Sequence, residues 1–229
     1  QRSLVGSEMC IRDSVLAAGS GKRMNSQVHK QYLIIQDRPV LYYSLKEFED
    51  SAADEIVLVV GKGEEKFCRK EIVDKYGISK VKAIVEGGKE RYHSVFEGLK
   101  QTSDADYVLI HDGARPYVSK QSINDLVECL KTYDAGLLMV PCKDTIKEVK
   151  EGIVVKTLKR ETLMQAQTPQ VFKSEDIKVA YQKAKDEGYV ATDDSQLFER
   201  YIDKDIKAVL GLSLIDISEP TRLRCISYA

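Results

Sequence analysis

A glycine pair followed at once by two cations stands near the start of the chain. Residues 15–24 read VLAAGSGKRM, an apolar run that breaks into glycine, serine, glycine and then two basic side chains. Glycines let a ligand approach the backbone closely, and the cations suit an anion, so the stretch predicts a phosphate site. Two stricter phosphate motifs fail, because the dinucleotide fingerprint needs a third glycine at Met24 and a P-loop needs Ser or Thr at Arg23. The glycine pair alone is weak evidence.

Glycines, charges and hydroxyl groups recur where other apolar runs end. The set comprises Lys30 and Gln31, Gly87 and Gly88 with Arg91 and Ser94, Asp112 and Arg115, Arg160, Thr168, and Thr192 with Asp193 and Asp194. Ligands of parallel sheets bind beyond the carboxyl ends of the strands, so cations from four segments would face one crevice. Such a crevice favours a polyanion.

Each of these residues also has a plainer structural interpretation. A single Lys or Arg is more often a solvated surface charge, and a glycine pair is often only a turn. The stretch TDDSQLFE, with Thr192 and Ser195, is typical of a helix N-terminus. Asp112 could cap a loop, and His111 is more often a satisfied strand-end residue than a catalyst. The functional interpretation therefore depends on the whole set falling at strand ends together.

Strand-like and helix-like segments alternate from residue 15 to about residue 210. The apolar runs that predict strands are residues 56–60, 81–85, 107–111, 135–140 and 206–210. Helical spacing is shown by Leu41, Leu45 and Phe48, by Ile123, Leu126, Val127 and Leu130, and by Ile177, Ala180, Tyr181 and Ala184. The alternation predicts an α/β fold with a mostly parallel twisted sheet flanked by helices.

Residues 143–163 interrupt this alternation. The stretch DTIKEVKEGIVVKTLKR reads as two polar-alternating strands around Glu151-Gly152. A lone exposed hairpin is marginally stable, so we expect this arm to pair with something outside the domain body.

Composition excludes several classes of protein. The chain has 35 basic and 36 acidic residues, and this balance argues against nucleic acid as a partner. No apolar run has membrane-spanning length. Five scattered cysteines indicate reduced thiols in a cytoplasm, and with three dispersed histidines they predict no protein metal site. Small anionic molecules are the expected partners.

The two ends of the chain differ from its middle. Residues 1–14 and 212–229 lack strand or helix patterning and resemble translated sequencing-adapter read-through, so we expect neither to belong to the natural protein. The first stretch is not a signal peptide, since it has no long apolar core. Residues 15–211 are expected to form a single domain, in which only Val15 and Leu16 remain of the first strand.

Seven motifs in series carry a resemblance to a known family. They are LAAGSGKRM, KQYL, GGKERYHSVFEGL, HDGARP, VPCKDTIK, QTPQVF and TDDSQLFE. Together they resemble the 2-C-methyl-D-erythritol 4-phosphate cytidylyltransferases over residues 15–211. The resemblance implies a Rossmann-like nucleotidyltransferase fold and attack of a sugar-phosphate oxygen on the α-phosphorus of CTP, with release of pyrophosphate, in the non-mevalonate route to isoprenoid precursors. A ribitol 5-phosphate cytidylyltransferase and a CTP-binding homologue with impaired catalysis are the alternatives.

The resemblance also implies roles for single residues. Arg23 and Lys30 are the expected catalytic cations. The expected nucleotide-binding residues are Ala17, Ala18, Gly19, Gly21, Gly88, Ser94, Asp112 and Arg115, with Arg91 supporting their loop. The expected substrate-binding residues are Thr145, Arg160, Thr168 and Thr192. Mg²⁺ is expected to be held mainly by the CTP phosphates, and the arm to join two subunits in a homodimer. The family's lysine after Gly211 is absent, which predicts impaired folding or turnover.

Overall fold

The computed structural model describes residues 9–19 and 29–212, and its strands follow the apolar runs. The strands are β1 Ile11–Ala17, β2 Ile34–Ile35, β3 Arg38–Pro39, β4 Glu55–Val60, β5 Val81–Glu86, β6 Tyr107–Asp112, β7 Ala135–Pro141, β8 Lys147–Lys150, β9 Ile153–Thr157, β10 Met164–Lys173 and β11 Lys207–Leu210. All five strands predicted from apolar runs are confirmed, with ends shifted by one residue at most.

A mixed sheet of seven strands forms the centre of the molecule. Its order is β11-β7-β10-β6-β1-β4-β5. All neighbours in it run parallel except β10, which is antiparallel to both β6 and β7. The predicted mostly parallel α/β sheet is therefore confirmed.

Helices cover both faces of this sheet. They are α1 Val40–Glu49, α2 Glu65–Cys68, α3 Arg91–Leu99, α4 Lys120–Cys129, α5 Ser174–Glu187 and α6 Asp194–Tyr201, with a π-helical turn at Arg69–Asp74 and 3-10 turns at Lys30–Tyr32 and Arg160–Thr162. One apolar core includes Leu45 of α1 and Ile123 of α4, and the other includes Val95 of α3, Tyr181 of α5 and Phe198 of α6. In the described ranges, no helix is long and apolar enough to cross a membrane.

The first strand is longer than the sequence predicted. It begins at Ile11 and pairs in parallel with β4 and β6, so the expectation that only Val15 and Leu16 remain of it is wrong. The neighbouring strands override the unfavourable sequence, and Arg12 reaches the sheet rim, where its Nε lies 2.7 Å from Glu55 Oε2. Asp13 is fully buried, and both its carboxyl oxygens lack a hydrogen-bond partner within the described part of the chain.

Strand β10 was not predicted, and its irregularity matters for the site. Its register against β7 shifts between Ala166 and Gln170, so that residues 167–169 bulge out of the ladder. A bulge turns side chains out of the pleat, and here it turns Thr168 towards the end of β6.

The predicted arm is confirmed as a hairpin. Among the strands of the described ranges, β8 and β9 pair only with each other, and the turn between them has positive φ angles at Glu151 and Gly152. Four apolar side chains of the arm are more than half exposed: Val149, Ile153, Val154 and Val155.

Candidate active site

The end of β1 meets the loop after β5 at close range. Backbone N–H of Gly87 donates to the Val60 carbonyl at 2.8 Å, which brings the loop over the sheet. A Cβ atom on Gly87 would lie 2.5 Å from the Ala18 Cβ and 2.7 Å from Ser94 Oγ, so only glycine fits between these two residues. The Ser94 hydroxyl accepts from the Gly88 N–H at 3.2 Å and lies 3.2 Å from the Glu90 carbonyl oxygen. Ala17 ends β1 beside these residues. Four predicted nucleotide-binding residues therefore lie together: Ala17, Ala18, Gly88 and Ser94.

Lys30 is held beside this pocket by its neighbour. The Gln31 side chain is 1% exposed, and its amide nitrogen donates to the Ala17 carbonyl oxygen at 2.5 Å. Lys30, in the same 3-10 turn, remains exposed. A buried amide therefore ties the turn that carries the cation to the end of β1.

Arg91 is the centre of the ion-pair network at the strand ends. Two of its guanidinium nitrogens bind the Asp194 carboxylate at 2.9 and 2.7 Å, and its Nε binds Asp112 Oδ1 at 3.0 Å. Asp194 is fully buried and also accepts the hydroxyl hydrogen of Tyr181. Burial opposes the charge of Arg91, but the two carboxylates outweigh burial and raise the pKa of its guanidinium. The network locks α3 and α6 against the end of β6.

Asp112 carries a charge between two arginines. Its Oδ2 accepts from Arg115 Nε at 3.2 Å, while Oδ1 is bound by Arg91. Burial acts to raise the pKa of the Asp112 carboxyl, but the charge of Arg91 and then of its other neighbours outweighs this and lowers that pKa. Asp112 is therefore an ionised carboxylate that orients cations.

His111 is satisfied, as its plainer interpretation predicted. Its Nε2 lies 3.2 Å from the Arg115 carbonyl oxygen, and its Nδ1 lies 3.1 Å from Thr168 Oγ1. Thr168 Oγ1 also accepts from the backbone N–H of Asp112 at 3.2 Å. The bulge in β10 makes this contact possible, because it leaves the end of β6 without a backbone partner on that side.

The stretch TDDSQLFE begins helix α6, as its pattern predicts, and its second residue is the cap. Asp193, not Thr192, is the N-cap, and its Oδ1 accepts from the Gln196 N–H at 3.0 Å. Asp193 can do this because Gln170 of β10 donates to its other oxygen at 3.0 Å. Thr192 is exposed and is held through its N–H by Gln196 Oε1 at 2.8 Å.

Two cavities flank this network. One of about 260 Å³ lies beyond the end of β6 and is lined by Arg115, Tyr117, Ser122, Gln167, Thr168 and Leu212 among others. A smaller one of about 120 Å³ is lined by Arg91, Tyr181, Thr192 and Asp194 among others. The larger cavity is slightly smaller than the roughly 300–1,000 Å³ of typical small-ligand pockets, and Arg115, Gln167 and Thr168 supply polar groups within a mainly apolar lining.

Not all predicted residues enter these contacts. Gly21 and Arg23 lie outside the described residues, and Gly19 is exposed at the edge of that gap. Thr145 and Arg160 are exposed on the arm, where Arg160 donates to the Lys143 carbonyl at 3.1 Å. Within residues 9–19 and 29–212, no group of three or more His, Cys, Asp or Glu side chains could hold a metal ion.

Sequence analysis missed the roles of three buried residues. Gln31 anchors the lysine turn, while Asp194 and Tyr181 complete the Arg91 network. The acidic pair in TDDSQLFE drew attention to Asp194, but its partner Arg91 lies in the separate motif GGKERYHSVFEGL. Tyr181 was identified only as an apolar helix position.

The chain matches one family throughout its described core. A family model described as 2-C-methyl-D-erythritol 4-phosphate cytidylyltransferase matches residues 12–220. The protein of that name from Alkaliphilus metalliredigens is 45% identical over 201 residues, which cover 86% of this chain and 83% of the relative. The one from Geotalea uraniireducens is 41% identical over 207 residues, covering 89% and 88%.

Solved structures agree with this match. The crystal structure of 4-diphosphocytidyl-2C-methyl-D-erythritol synthase from Anaerococcus prevotii has a TM-score of 0.80 at 32% identity, over 89% of this chain and 90% of that one. The 2-C-methyl-D-erythritol 4-phosphate cytidylyltransferase of Francisella tularensis has a TM-score of 0.72 at 28% identity, over 88% and 91%.

Proposed function

The chain belongs to the family of 2-C-methyl-D-erythritol 4-phosphate cytidylyltransferases and is a nucleotidyltransferase, and we propose how its crevice carries out the reaction. It transfers a cytidylyl group from CTP to 2-C-methyl-D-erythritol 4-phosphate and releases pyrophosphate, a step in the non-mevalonate route to isoprenoid precursors. The observation that carries this proposal is the convergence of a glycine-lined pocket and an arginine–carboxylate network at the carboxyl ends of β1, β5 and β6.

The chemistry needs cations and no general base. A phosphate monoester is largely dianionic at neutral pH, since its second pKa is about 6, so the nucleophilic oxygen arrives deprotonated. The barrier lies in bringing two polyanions together and in stabilising the charge that develops at phosphorus. We assign Arg23 and Lys30 to this task at the α-phosphate. Loss of either should lower turnover by about 100-fold, a typical effect of removing one transition-state donor.

The nucleotide side of the crevice is formed by small groups. Ala18, Gly87 and Ser94 are in contact, so the space beside them is narrow and bordered by backbone N–H and C=O groups. A small chamber with backbone hydrogen-bonding groups suits a pyrimidine and excludes a purine. We assign Ala17, Ala18, Gly19, Gly21, Gly88 and Ser94 to CTP, with Asp112 and Arg115 between the two substrates.

The acceptor side involves residues from the strand ends and the arm. Thr168 lines the larger cavity, and Thr192 lines the smaller one. We assign both to methylerythritol phosphate. We also propose that Thr145 and Arg160 act on the acceptor phosphate of a second subunit, across a homodimer formed by the arm. The exposed valine and isoleucine side chains of the arm support such an interface.

Mg²⁺ is proposed to enter with the nucleotide. Phosphate oxygens are ligands that Mg²⁺ prefers, and the ion neutralises charge on the triphosphate and on the leaving pyrophosphate. Both oxygens of Asp112 already hold arginines, which suits a carboxylate that orients cations while the phosphates bind the metal. We further propose a cytoplasmic enzyme with small-molecule substrates and neither nucleic acid nor membrane as partner.

A pyrophosphate-release assay tests this function. The full chain is incubated with Mg²⁺, with CTP, UTP or ATP, and with methylerythritol 4-phosphate or ribitol 5-phosphate. We expect release with CTP and methylerythritol 4-phosphate, and much less with the other combinations. Preference for ribitol 5-phosphate would favour the alternative acceptor. A second chain carries a lysine-containing family segment after Gly211, and activity in this chain alone would show that the present tail impairs catalysis. If both chains fold and neither releases pyrophosphate, the proposed function is contradicted.

A further inference from the structure

His111 connects two residues at the larger cavity, Thr168 and Arg115. Its ring is fully buried at the end of β6 and lies against Phe48 with ring centroids 5.2 Å apart. Its two nitrogens contact Thr168 Oγ1 at 3.1 Å and the Arg115 carbonyl oxygen at 3.2 Å. Thr168 and Arg115 both line the larger cavity. The imidazole therefore lies directly behind two groups that a ligand in this cavity would touch.

The partners determine which nitrogen carries the proton. Both the Arg115 carbonyl and the Thr168 carbonyl lie near the ring as acceptors, and we assign the ring proton to Nε2, which lies 3.2 Å from the Arg115 carbonyl oxygen. Neutral imidazole has a single N–H, so Nδ1 is unprotonated and accepts the hydroxyl hydrogen of Thr168. Burial lowers the pKa of His111 to about 4, and the ring is therefore neutral at physiological pH.

With this tautomer, the Thr168 hydroxyl can accept a hydrogen bond from a ligand but cannot donate one. Its hydroxyl hydrogen is given to His111, and one lone pair accepts from the Asp112 N–H at 3.2 Å. One lone pair remains. An oxygen in this state can accept from a ligand hydroxyl, but it cannot donate to a phosphate oxygen.

Building on the proposed function, we propose that His111 is a positioning residue that fixes the polarity of the Thr168 hydroxyl, so that Thr168 binds a hydroxyl group of the sugar-alcohol chain. The acceptor phosphate is left to the cations. The same ring supports the loop that carries Arg115, because the Arg115 carbonyl accepts both from His111 and from Ser44 Oγ at 3.2 Å. Thr168 and His111 together thus determine specificity for a polyol.

Deoxy acceptors test the polarity of Thr168. Each analogue of methylerythritol 4-phosphate has one hydroxyl replaced by hydrogen, and kcat/KM is measured for the full chain, for Thr168→Val and for Thr168→Ser. For one analogue we expect kcat/KM to be roughly tenfold lower than for methylerythritol 4-phosphate, both with the unaltered chain and with Thr168→Ser. With Thr168→Val we expect this analogue and methylerythritol 4-phosphate to have the same kcat/KM. A loss as large in Thr168→Val as in the unaltered chain would overturn the proposal.

Substitutions of His111 test its positioning role. His111→Phe keeps the ring shape and removes both hydrogen bonds, whereas His111→Asn keeps an acceptor near the Nδ1 position. We expect His111→Phe to raise the KM for the acceptor roughly tenfold and the KM for CTP much less, with partial rescue in His111→Asn. Adding Thr168→Val to His111→Phe should not raise the KM for the acceptor further. Additive effects of the two substitutions, or equal effects on both substrates, contradict a positioning role.

A spectroscopic measurement keeps the proposal testable without activity. Long-range correlations between ring protons and ring nitrogens distinguish the tautomers of the three histidines, and His111→Asn identifies the His111 signals. We expect a neutral ring with its proton on Nε2 at neutral pH. A proton on Nδ1 would overturn the proposal even in an active enzyme. If the folded chain releases no pyrophosphate, the proposed function fails separately, and the tautomer still decides the polarity of Thr168.

Discussion

Arg91 and Asp194 are 103 residues apart in the chain and meet in a bidentate ion pair, with nitrogen–oxygen distances of 2.9 and 2.7 Å. Asp194 is fully buried, and Arg91 continues to Asp112 at the end of β6. The pair therefore determines how α3 and α6 stand relative to β6.

Removing Arg91 should destabilise the fold strongly. Arg91→Gln leaves the Asp194 charge buried without its partner, which costs about 3 kcal/mol or more in the free energy of unfolding. Arg91→Lys should also lose stability, because an ammonium cannot reproduce the two parallel contacts. Urea unfolding checks both.

Arg115→Gln is the matched control for this prediction. The Arg115 side chain is 58% exposed and binds the same Asp112. An exposed ion pair contributes at most about 1 kcal/mol, so this variant should unfold nearly as the unaltered chain does. Equal losses in the Arg91 and Arg115 variants would contradict the structural role assigned to Arg91.

Replacing Asp13 should stabilise the protein. The carboxyl group of Asp13 is buried in β1, an interior strand of the sheet, without a hydrogen-bond partner in the described ranges, and an unsatisfied buried polar group costs about 1–3 kcal/mol. Asp13→Val should therefore raise the free energy of unfolding at neutral pH by about this amount. Asp203→Val, at an exposed position, should change it by less than about 0.5 kcal/mol.

The gain from Asp13→Val should depend on pH. Burial raises the pKa of Asp13 well above its ordinary value of 3.8, so above that pH the unfolded chain releases a proton that the folded chain keeps. This group's contribution to stability is therefore lost as pH rises from about 4. The difference in unfolding free energy between Asp13→Val and the unaltered chain should grow with pH, and a difference that shrinks with pH would show that Asp13 is ionised in the fold.

Gln31 should influence turnover through Lys30. Gln31→Met keeps the size of the side chain but leaves the buried Ala17 carbonyl without the amide that binds it. We expect a fall in kcat of roughly tenfold, since the turn that carries Lys30 loses its anchor. Steady-state kinetics with both substrates measure this, and exposed Gln121→Met is the control. An unchanged kcat in Gln31→Met would show that the function of Lys30 does not depend on the hydrogen bond of Gln31.

The arm should determine the oligomeric state. Ile153 is 72% exposed on the arm, and a charge placed there would be buried in a dimer interface at high cost. Ile153→Asp should therefore dissociate the homodimer in sedimentation experiments, whereas Ile34→Asp, at a residue 65% exposed elsewhere, should not. A chain that is monomeric before either substitution would contradict the proposed arm-mediated dimer.

Local patterns in the sequence predicted much of the fold. Strands β4 and β6 are buried on both faces, and such strands appear as continuous apolar runs. Strand β10 was missed because polar residues and Pro169 interrupt it, which is typical of a bulged strand and resembles a loop. The start of β1 was missed because Arg12 and Asp13 are poor strand residues, and pairing on both sides overrides that preference.

The site could be predicted in part. Glycine, cation and hydroxyl motifs at strand ends predicted that these residues lie close together, since strand order places those ends at one edge. The pairing of Arg91 with Asp194 could not be predicted, because it depends on how α3 and α6 pack across the sheet. The Thr168 hydroxyl polarity likewise depends on the contact with His111, and that contact follows only from the bulge in β10 that places Thr168 there.

The most direct test follows the α-phosphorus of CTP. The full chain is incubated with Mg²⁺, methylerythritol 4-phosphate and CTP that carries a radioactive α-phosphate. The account predicts that the label moves into a diphosphocytidyl sugar alcohol while unlabelled pyrophosphate is released, and that Lys30→Ala slows this transfer by about 100-fold. Label that remains in CTP with a folded chain, or that transfers equally well to ribitol 5-phosphate, would contradict it.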